Sequence, residues 1–233
     1  MATGARTGTL EEGQVRAMFD RIAGLYDVMN SVMTAGLHHR WRERAADLAA
    51  VGPGDRVLDV ATGTGDLALE LARRVGPSGE VIGSDFSEGM LEVARRKAAA
   101  VGNVRWERGN ALELPYRDGE FAAATVGFGA RNFSDLARGL SEMARVVRPG
   151  GRVVVLEITI PSKPPLSTFF HLWFDRVVPL IGRDEAYTYL PSSVKRFPGP
   201  EALAAEMARA GLRDIRWILT AGGIIAIHVG TKA

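Results

Sequence analysis

The chain has no cysteine among its 233 residues. That excludes disulfides, thiolate nucleophiles and cysteine-held metals. It also lacks an uncharged apolar run approaching the ~20 residues of a membrane-spanning helix. Residues 1–12 lack the basic start and apolar stretch of a signal peptide, so a cytoplasmic protein is expected. A dominant charge is missing too: 29 Lys plus Arg face 27 Asp plus Glu, a formal charge of +2. With no Lys/Arg run of the kind that binds phosphate backbones, nucleic acid is not an expected partner. There is no H-E-x-x-H and no carboxylate pair at metal-ligand spacing, so no metal is expected.

What is present is an ordinary globular composition, 46% hydrophobic and 24% charged. It suffices for one domain with a well-buried core. Along the chain, strand-like and helix-like patterns alternate. "RVLDVA" (56–61), "EVIGSD" (80–85), "NVRWERG" (103–109), "FAAATVGF" (121–128) and "RVVVLEI" (152–158) read as strands. Between them lie helical stretches at 67–75, after a Ser87 cap, and at 136–147, the last stopped by Arg148, Pro149, Gly150 and Gly151. Such alternation predicts an α/β fold with a doubly wound, mostly parallel sheet. "RDIRWIL" (213–219) and "GIIAIHVG" (223–230) are separated too briefly for a parallel crossover. A seven-stranded, Rossmann-like sheet ending in an antiparallel hairpin follows. We expect a single domain over 1–233, with an N-terminal helical flap (1–50) and a lid-like insertion (161–199).

"VLDVATGTGDLA" sets a strand, an acidic residue, a glycine loop and a helix in order. Gly63, Gly65 and Ala68 match the dinucleotide pattern G-x-G-x-x-A, a weak signal alone that equally describes a tight turn. Asp59, just ahead of the loop, would repel a pyrophosphate and suits a ligand bearing an ammonium and a sulfonium. Asp85 ends the next strand, where a carboxylate can accept both ribose hydroxyls of either ligand class. Asn110 follows the third strand, within reach of an adenine edge. Together these favour S-adenosylmethionine over a nicotinamide dinucleotide.

At these residues the chain resembles class I S-adenosylmethionine-dependent methyltransferases. More narrowly, it resembles the UbiE/MenG family of quinone-biosynthesis C-methyltransferases, from about Val15 to Lys232. "YDVMNSVMTAGLHHRW" (26–41), "FGARNFSD" (128–135), "RVVRPGGRVVVLEIT" (145–159), "YTYLPSSVKRFPGPEAL" (187–203) and "LTAGGIIAIHVG" (219–230) carry the likeness. Thr34 and Thr159 stand where the family usually has Ser, and Arg148 where it has Lys. The resemblance implies methyl transfer to a ring carbon of a polyprenyl quinol: demethylmenaquinol in menaquinone biosynthesis, or a benzoquinol in ubiquinone biosynthesis. The alternative is another small hydrophobic acceptor. Carried over by position, the cofactor contacts are Thr64, Asp85, Asn110 and Ala111; Asp59, Gly63 and Gly65 join them as candidates from the chemistry of the glycine loop itself. At Gly127 the family often has Ser, so no side-chain contact is expected there.

The ring carbon becomes strongly nucleophilic only when a neighbouring hydroxyl ionises. A phenol-like pKa near ~10 leaves a deficit of about 4 kcal/mol at pH 7. A nearby cation lowers such a pKa by ~1–3 units. Arg131 is assigned that role and Asn132 an orienting one. The plainer reading is that Arg131 ties its own loop together. Tyr26 and His38 are the further catalytic candidates, with Asp27, His39, His171 and His228 also considered as bases. In "LYDVMNSVMTAGLHHRW" (25–41), Tyr26, Asp27 and Asn30 are expected to face the site, and Met29 and Met33 to line an apolar acceptor pocket. Residues 165–181, "PLSTFFHLWFDRVVPLI", carry apolar side chains at helical spacing. They suit a core or homodimer helix, or a lid touching the inner face of the membrane as a polyprenyl tail enters.

Overall fold

In the computed structural model, residues 12–34, 36–161, 164, 166–172 and 185–233 are described. Helices α1 (Glu12–Thr34) and α2 (Leu37–Ala49) precede β1 (Arg56–Val60). Then α3 (Asp66–Val75), β2 (Glu80–Asp85), α4 (Glu88–Lys97), β3 (Val104–Arg108) and β4 (Phe121–Gly127) alternate. A short 3₁₀ turn (Ala130–Asn132) leads to α5 (Leu136–Val146) and β5 (Val147–Ile158). Helices α6 (Leu166–Leu172), α7 (Glu185–Arg196) and α8 (Pro200–Arg209) follow, and the hairpin β6 (Leu212–Thr220) and β7 (Ile225–Lys232) closes the chain.

The sheet order is β3-β2-β1-β4-β5-β7-β6, with β7 antiparallel to both neighbours. Alternate residues of β5 explain its layers: Val153 and Val155 enter one core cluster, Val154 and Leu156 the other. A strand buried on both faces must be apolar at every position, as "VVVL" is. The expected Ser87 cap forms, its Oγ accepting the Met90 N–H at 3.2 Å.

One boundary differs from the sequence reading. The ladder of β5 begins at Val147, paired with Phe121, and resumes at Arg152 opposite Ala123. The turn "RPGG" is thus an irregularity within a strand and not only a helix stop. Gly151 permits it, because a Cβ there would lie 2.4 Å from the Ala122 carbonyl.

The strand order reverses at β1, which lies between β2 and β4 and is parallel to both. The loops leaving β1 and β4 therefore diverge and open a crevice at the carboxyl edge of the sheet. Helix α1 lies across this edge, packing Val15, Met18, Ile22 and Ala23 against Met90 of α4 and Tyr189 of α7.

Candidate active site

Two cavities lie at the carboxyl edge. The first, of about 690 Å³, is lined by Ala61 and Gly63 after β1, Asp85 and Phe86 after β2, Asn110, Ala111 and Leu112 after β3, and Gly129, Asn132 and Phe133 after β4. Four successive strand ends thus feed one space. The loops come close enough to require glycine: a Cβ on Gly129 would sit 2.6 Å from that of Ala61. At Gly63, with φ 57°, a Cβ would meet nothing within 4 Å. Glycine serves there for conformation and leaves the backbone open to a ligand.

Asp85 anchors this cavity. Its Oδ2 accepts the Gly63 N–H at 2.8 Å and its Oδ1 the Ser87 N–H at 2.9 Å. Each oxygen keeps a further lone pair. Burial lifts its pKa to about 6, against the pull of those amides. Asn110 accepts the Leu112 N–H at its Oδ1 (2.9 Å), which fixes the turn beside it.

The second cavity, of about 750 Å³, lies under α1 and α2. Its apolar walls include Met18, Ile22, Met33, Trp41, Ile158 and Leu190, and its polar groups include Tyr26, Asn30, His38, Arg131 and Tyr189. Phe19 and Phe128 line both cavities and so form the wall between them.

Arg131 is nearly buried and paired with Glu157 of β5 at 2.7 Å. Its Nη1 also donates to the Phe128 carbonyl, while its Nε has no partner. The loop-tying role weighed for Arg131 is therefore real. Its charge is compensated, which weakens any field it casts on an acceptor hydroxyl; what it has to spare is one buried N–H.

His38 is buried, with Nδ1 accepting from Arg42 at 2.5 Å. That fixes the proton on Nε2, which faces Ser31 Oγ at 3.1 Å. Burial first, and then the Arg42 charge, lower its pKa to about 4. A neutral imidazole whose acceptor nitrogen is occupied is poorly placed to take a proton. His39 is exposed, the His171 side chain lies outside the described residues, and His228 is buried with Nε2 on the Pro200 carbonyl, lining neither cavity.

Several expected contacts fall elsewhere. Asp59 lies beneath the loop, accepting from Thr62 at 2.5 Å and Thr125 at 2.6 Å, and lines neither cavity. Thr64 is buried and donates to Asp27 of α1 at 2.5 Å. Asp27 therefore turns to Thr64 and Lys97 instead of the second cavity. Gly65 packs on Trp106, where a Cβ would lie 2.4 Å from the ring, and Gly127 packs on Leu67. Met29's side chain is outside the described residues. Gly63, Asp85, Asn110 and Ala111 are placed as expected in the first cavity. Asn132 joins them there, while Arg131, Tyr26 and His38 line the second.

Sequence reasoning singles out neither Glu157 nor Tyr189. Glu157 is an acid set in the buried run that follows Arg152 in β5, a signal that a buried cation must meet it. Tyr189 donates to Asn132 Oδ1 at 3.1 Å across 57 positions, a contact without a local signature. One cluster also bears on the expectation of no metal. Among the described residues, His38, His39 and Asp66 bring three ligand atoms within 4.8 Å of one another. Arg42 lies 3.7 Å from Asp66 and on His38, and Lys97 also pairs with Asp66. Two protein cations already meet that carboxylate.

A 3-2-1-4-5-7-6 sheet with a carboxylate after β2 and a glycine loop after β1 defines the class: S-adenosylmethionine-dependent methyltransferases. Solved structures agree on the fold. One of a SAM-dependent methyltransferase from Aquifex aeolicus aligns with TM-score 0.60 at 18% identity, over 97% of this chain and 100% of that one. The [4+2]-cyclase SpnF aligns with TM-score 0.73 at 20% identity, over 96% and 97%. The chain belongs to the ubiE/COQ5 methyltransferase family, whose model matches residues 7–232. It is 48% identical to the demethylmenaquinone methyltransferase of Thermus thermophilus, over 92% of this chain and all of that one. It is 41% identical to the ubiquinone/menaquinone biosynthesis C-methyltransferase UbiE of Geobacter sp. strain M21, over 95% and 98%.

The first cavity fits the methyl donor of this class. Asp85 offers two oxygens to a ribose, and Phe86, Met90, Leu112 and Phe133 give flat or apolar walls for an adenine.

Proposed function

We propose that this chain transfers a methyl group from S-adenosylmethionine to a ring carbon of demethylmenaquinol. The observation that carries the reading is the second cavity. It is mostly apolar and shares Phe19 and Phe128 as a wall with the donor cavity. The names of the relatives point to the same acceptor class.

When bound, the donor supplies an already activated sulfonium methyl. The chain's own residues hold and orient the acceptor. Positioning can contribute ~7–11 kcal/mol toward such a reaction. Tyr26, Asn30 and Tyr189 offer hydrogen bonds to ring oxygens. Arg131 offers its unpartnered Nε–H to an oxygen that gains charge. Asn132 acts from the donor side, oriented by Tyr189. Asp59 supports the glycine loop through Thr62 and the β4 strand through Thr125.

Helices α1 and α2 serve as a cover, since α1 residues line both cavities and Asp27 and Asp20 tie the helix down. Asp20 accepts from Ser87 Oγ at 2.5 Å and from the Gly89 N–H at 3.1 Å. A polyprenyl tail would leave beside α7, whose Tyr189 and Leu190 line the second cavity. In α6, Phe170 is buried while Leu166 and Leu172 are 43% and 53% exposed, which suits contact with a tail or a bilayer surface. No helix among the described residues is long and apolar enough to cross a membrane. The test is direct: purified protein, S-adenosylmethionine and either demethylmenaquinol or the ubiquinone-pathway benzoquinol, analysed by mass. Methylated naphthoquinol is expected. Methylation of neither ring would overturn the reading.

A further inference from the structure

Phe128 is a bulky residue in the left-handed region, at φ 62°. Ordinary side chains avoid this conformation, and a bulky one there is an outlier. Four contacts hold it. Its N–H donates to the Leu156 carbonyl at 2.8 Å. Its carbonyl accepts from Arg131 Nη1. Its ring has the Arg42 guanidinium 5.4 Å from the centroid and the Trp41 ring edge-on at 6.4 Å. Each side of the residue is thus fixed by a different element. Phe19, the other member of the wall, sits in regular helix α1 with no such strain.

A glycine would adopt this backbone freely. Glycine does stand next in the chain, at 129, where close approach to Ala61 demands it. The aromatic ring at 128 is therefore kept against the backbone's preference. Strain of this kind persists where the surroundings over-determine it, and it collects at working sites.

We propose that Phe128 is a positioning residue for methyl transfer. Its ring, locked between the two cavities, sets the approach of the acceptor ring to the donor and has little part in binding the donor itself. The inference rests on the acceptor reading above. It makes the ring, not the backbone, the functional part. It also joins Arg131 and Arg42 in one role, since the first grips the carbonyl of Phe128 and the second the face of its ring.

The experiment compares Phe128→Gly, Phe128→Leu and Phe128→Tyr with the unaltered protein. Donor affinity is measured by calorimetry with S-adenosylmethionine. kcat and acceptor KM are measured with a short-tailed demethylmenaquinol. For Gly and Leu, kcat should fall 30-fold or more while donor Kd stays within 3-fold; Tyr, which keeps the ring, should recover most of kcat. A kcat within 3-fold of the unaltered protein in either Gly or Leu would overturn the proposal. So would a donor Kd that weakens in parallel with kcat. Should the Gly protein fail to fold, the Leu protein decides. If the unaltered protein fails to methylate the naphthoquinol, the acceptor reading falls instead. The same comparison on whichever acceptor is turned over then judges Phe128 separately.

Discussion

The cavity we assign to the donor and the one we assign to the acceptor share a wall yet are built from different materials. The donor cavity is made of strand ends, close-packed glycines and backbone amides turned onto one carboxylate, Asp85. The acceptor cavity is made largely of side chains on α1, α2 and α7, with Phe128, Arg131, Ile158 and Ile225 from the sheet edge, and its charges are cancelled within the protein by Arg131–Glu157 and Arg42–His38–Asp66. The first is fixed by backbone geometry, which tolerates little change. The second is fixed by side-chain packing, which can vary in shape while the sheet beneath stays the same. A generic donor and a particular acceptor call for that division.

The largest effect should come from breaking the acceptor side's buried ion pair. Glu157→Gln leaves the Arg131 guanidinium buried without a counter-charge. A loss of ~3–5 kcal/mol in unfolding free energy is expected, read by urea denaturation. The double change Arg131→Met with Glu157→Leu should regain most of it while activity stays lost. If Glu157→Gln is as stable as the original, the pair is solvated and the contrast between the cavities fails at its main point.

On the donor side the corresponding change is Asp85→Ala. It removes the carboxylate that two amides fix and leaves those amides unpaired. Hydrogen bonds to a charged acceptor are worth ~1.5–3 kcal/mol, so donor Kd should weaken by about 10–100-fold in calorimetry. Acceptor KM, measured with saturating donor, should move little. Comparable losses for both ligands would mean the two cavities do not act as separate sites.

The same division explains what the sequence makes legible. Strand ends announce themselves through β-pattern followed by Asp, Gly or Asn, so Asp85, Gly63, Asn110 and the mostly parallel sheet can be read directly. The closing hairpin is legible because its connection is too short for a crossover. The hydrogen bond from Thr64 to Asp27 is not legible, because its partner lies 37 residues earlier on a helix whose docking no local pattern encodes. The packing of Gly65 on Trp106 is not legible either, because a tight turn and a ligand cradle use the same residue. Arg131 lines the second cavity, and its neutralisation by Glu157 depends on the β4–β5 pairing, a tertiary fact. The positive φ of Phe128 leaves no trace in its residue type.

Asp59 offers a smaller test of the donor side. Burial pushes its pKa up to about 6, so at pH 7 the fold holds a carboxylate it would rather keep protonated. Asp59→Asn is nearly isosteric, and the Thr62 and Thr125 hydroxyls can rotate to suit an amide. Unfolding free energy at pH 7 should rise by about 1–2 kcal/mol, with most of that gain absent at pH 4, where the native carboxyl is protonated in its own right. A loss of stability at pH 7 would show that Asp59 works chiefly as an anion, through Arg42.

The smallest effect is a difference in slope with pH. His38, on the acceptor side, has a folded pKa of about 4, below the usual 6.5. The unfolded chain therefore binds more protons between those values. The stability that neutral His38 contributes is full above pH 6.5 and is lost as the pH falls toward 4. Asp59 and Asp85, on the donor side, have folded values raised to about 6, so across the range from 6 to 3.8 the folded state binds more protons and gains stability as the pH falls. The two cavities thus pull in opposite directions over one window, each group by on the order of 2 kcal/mol, and partly cancel. Replacing one member should unmask the other. His38→Gln should lose less stability than the original protein on going from pH 7 to pH 5, and Asp59→Asn should lose more. Comparing each variant with the original removes the contribution of the remaining carboxylates, which titrate in all three. Thermal unfolding at the two pH values reads the difference, and equal slopes in all three proteins would show that these groups do not titrate in opposition.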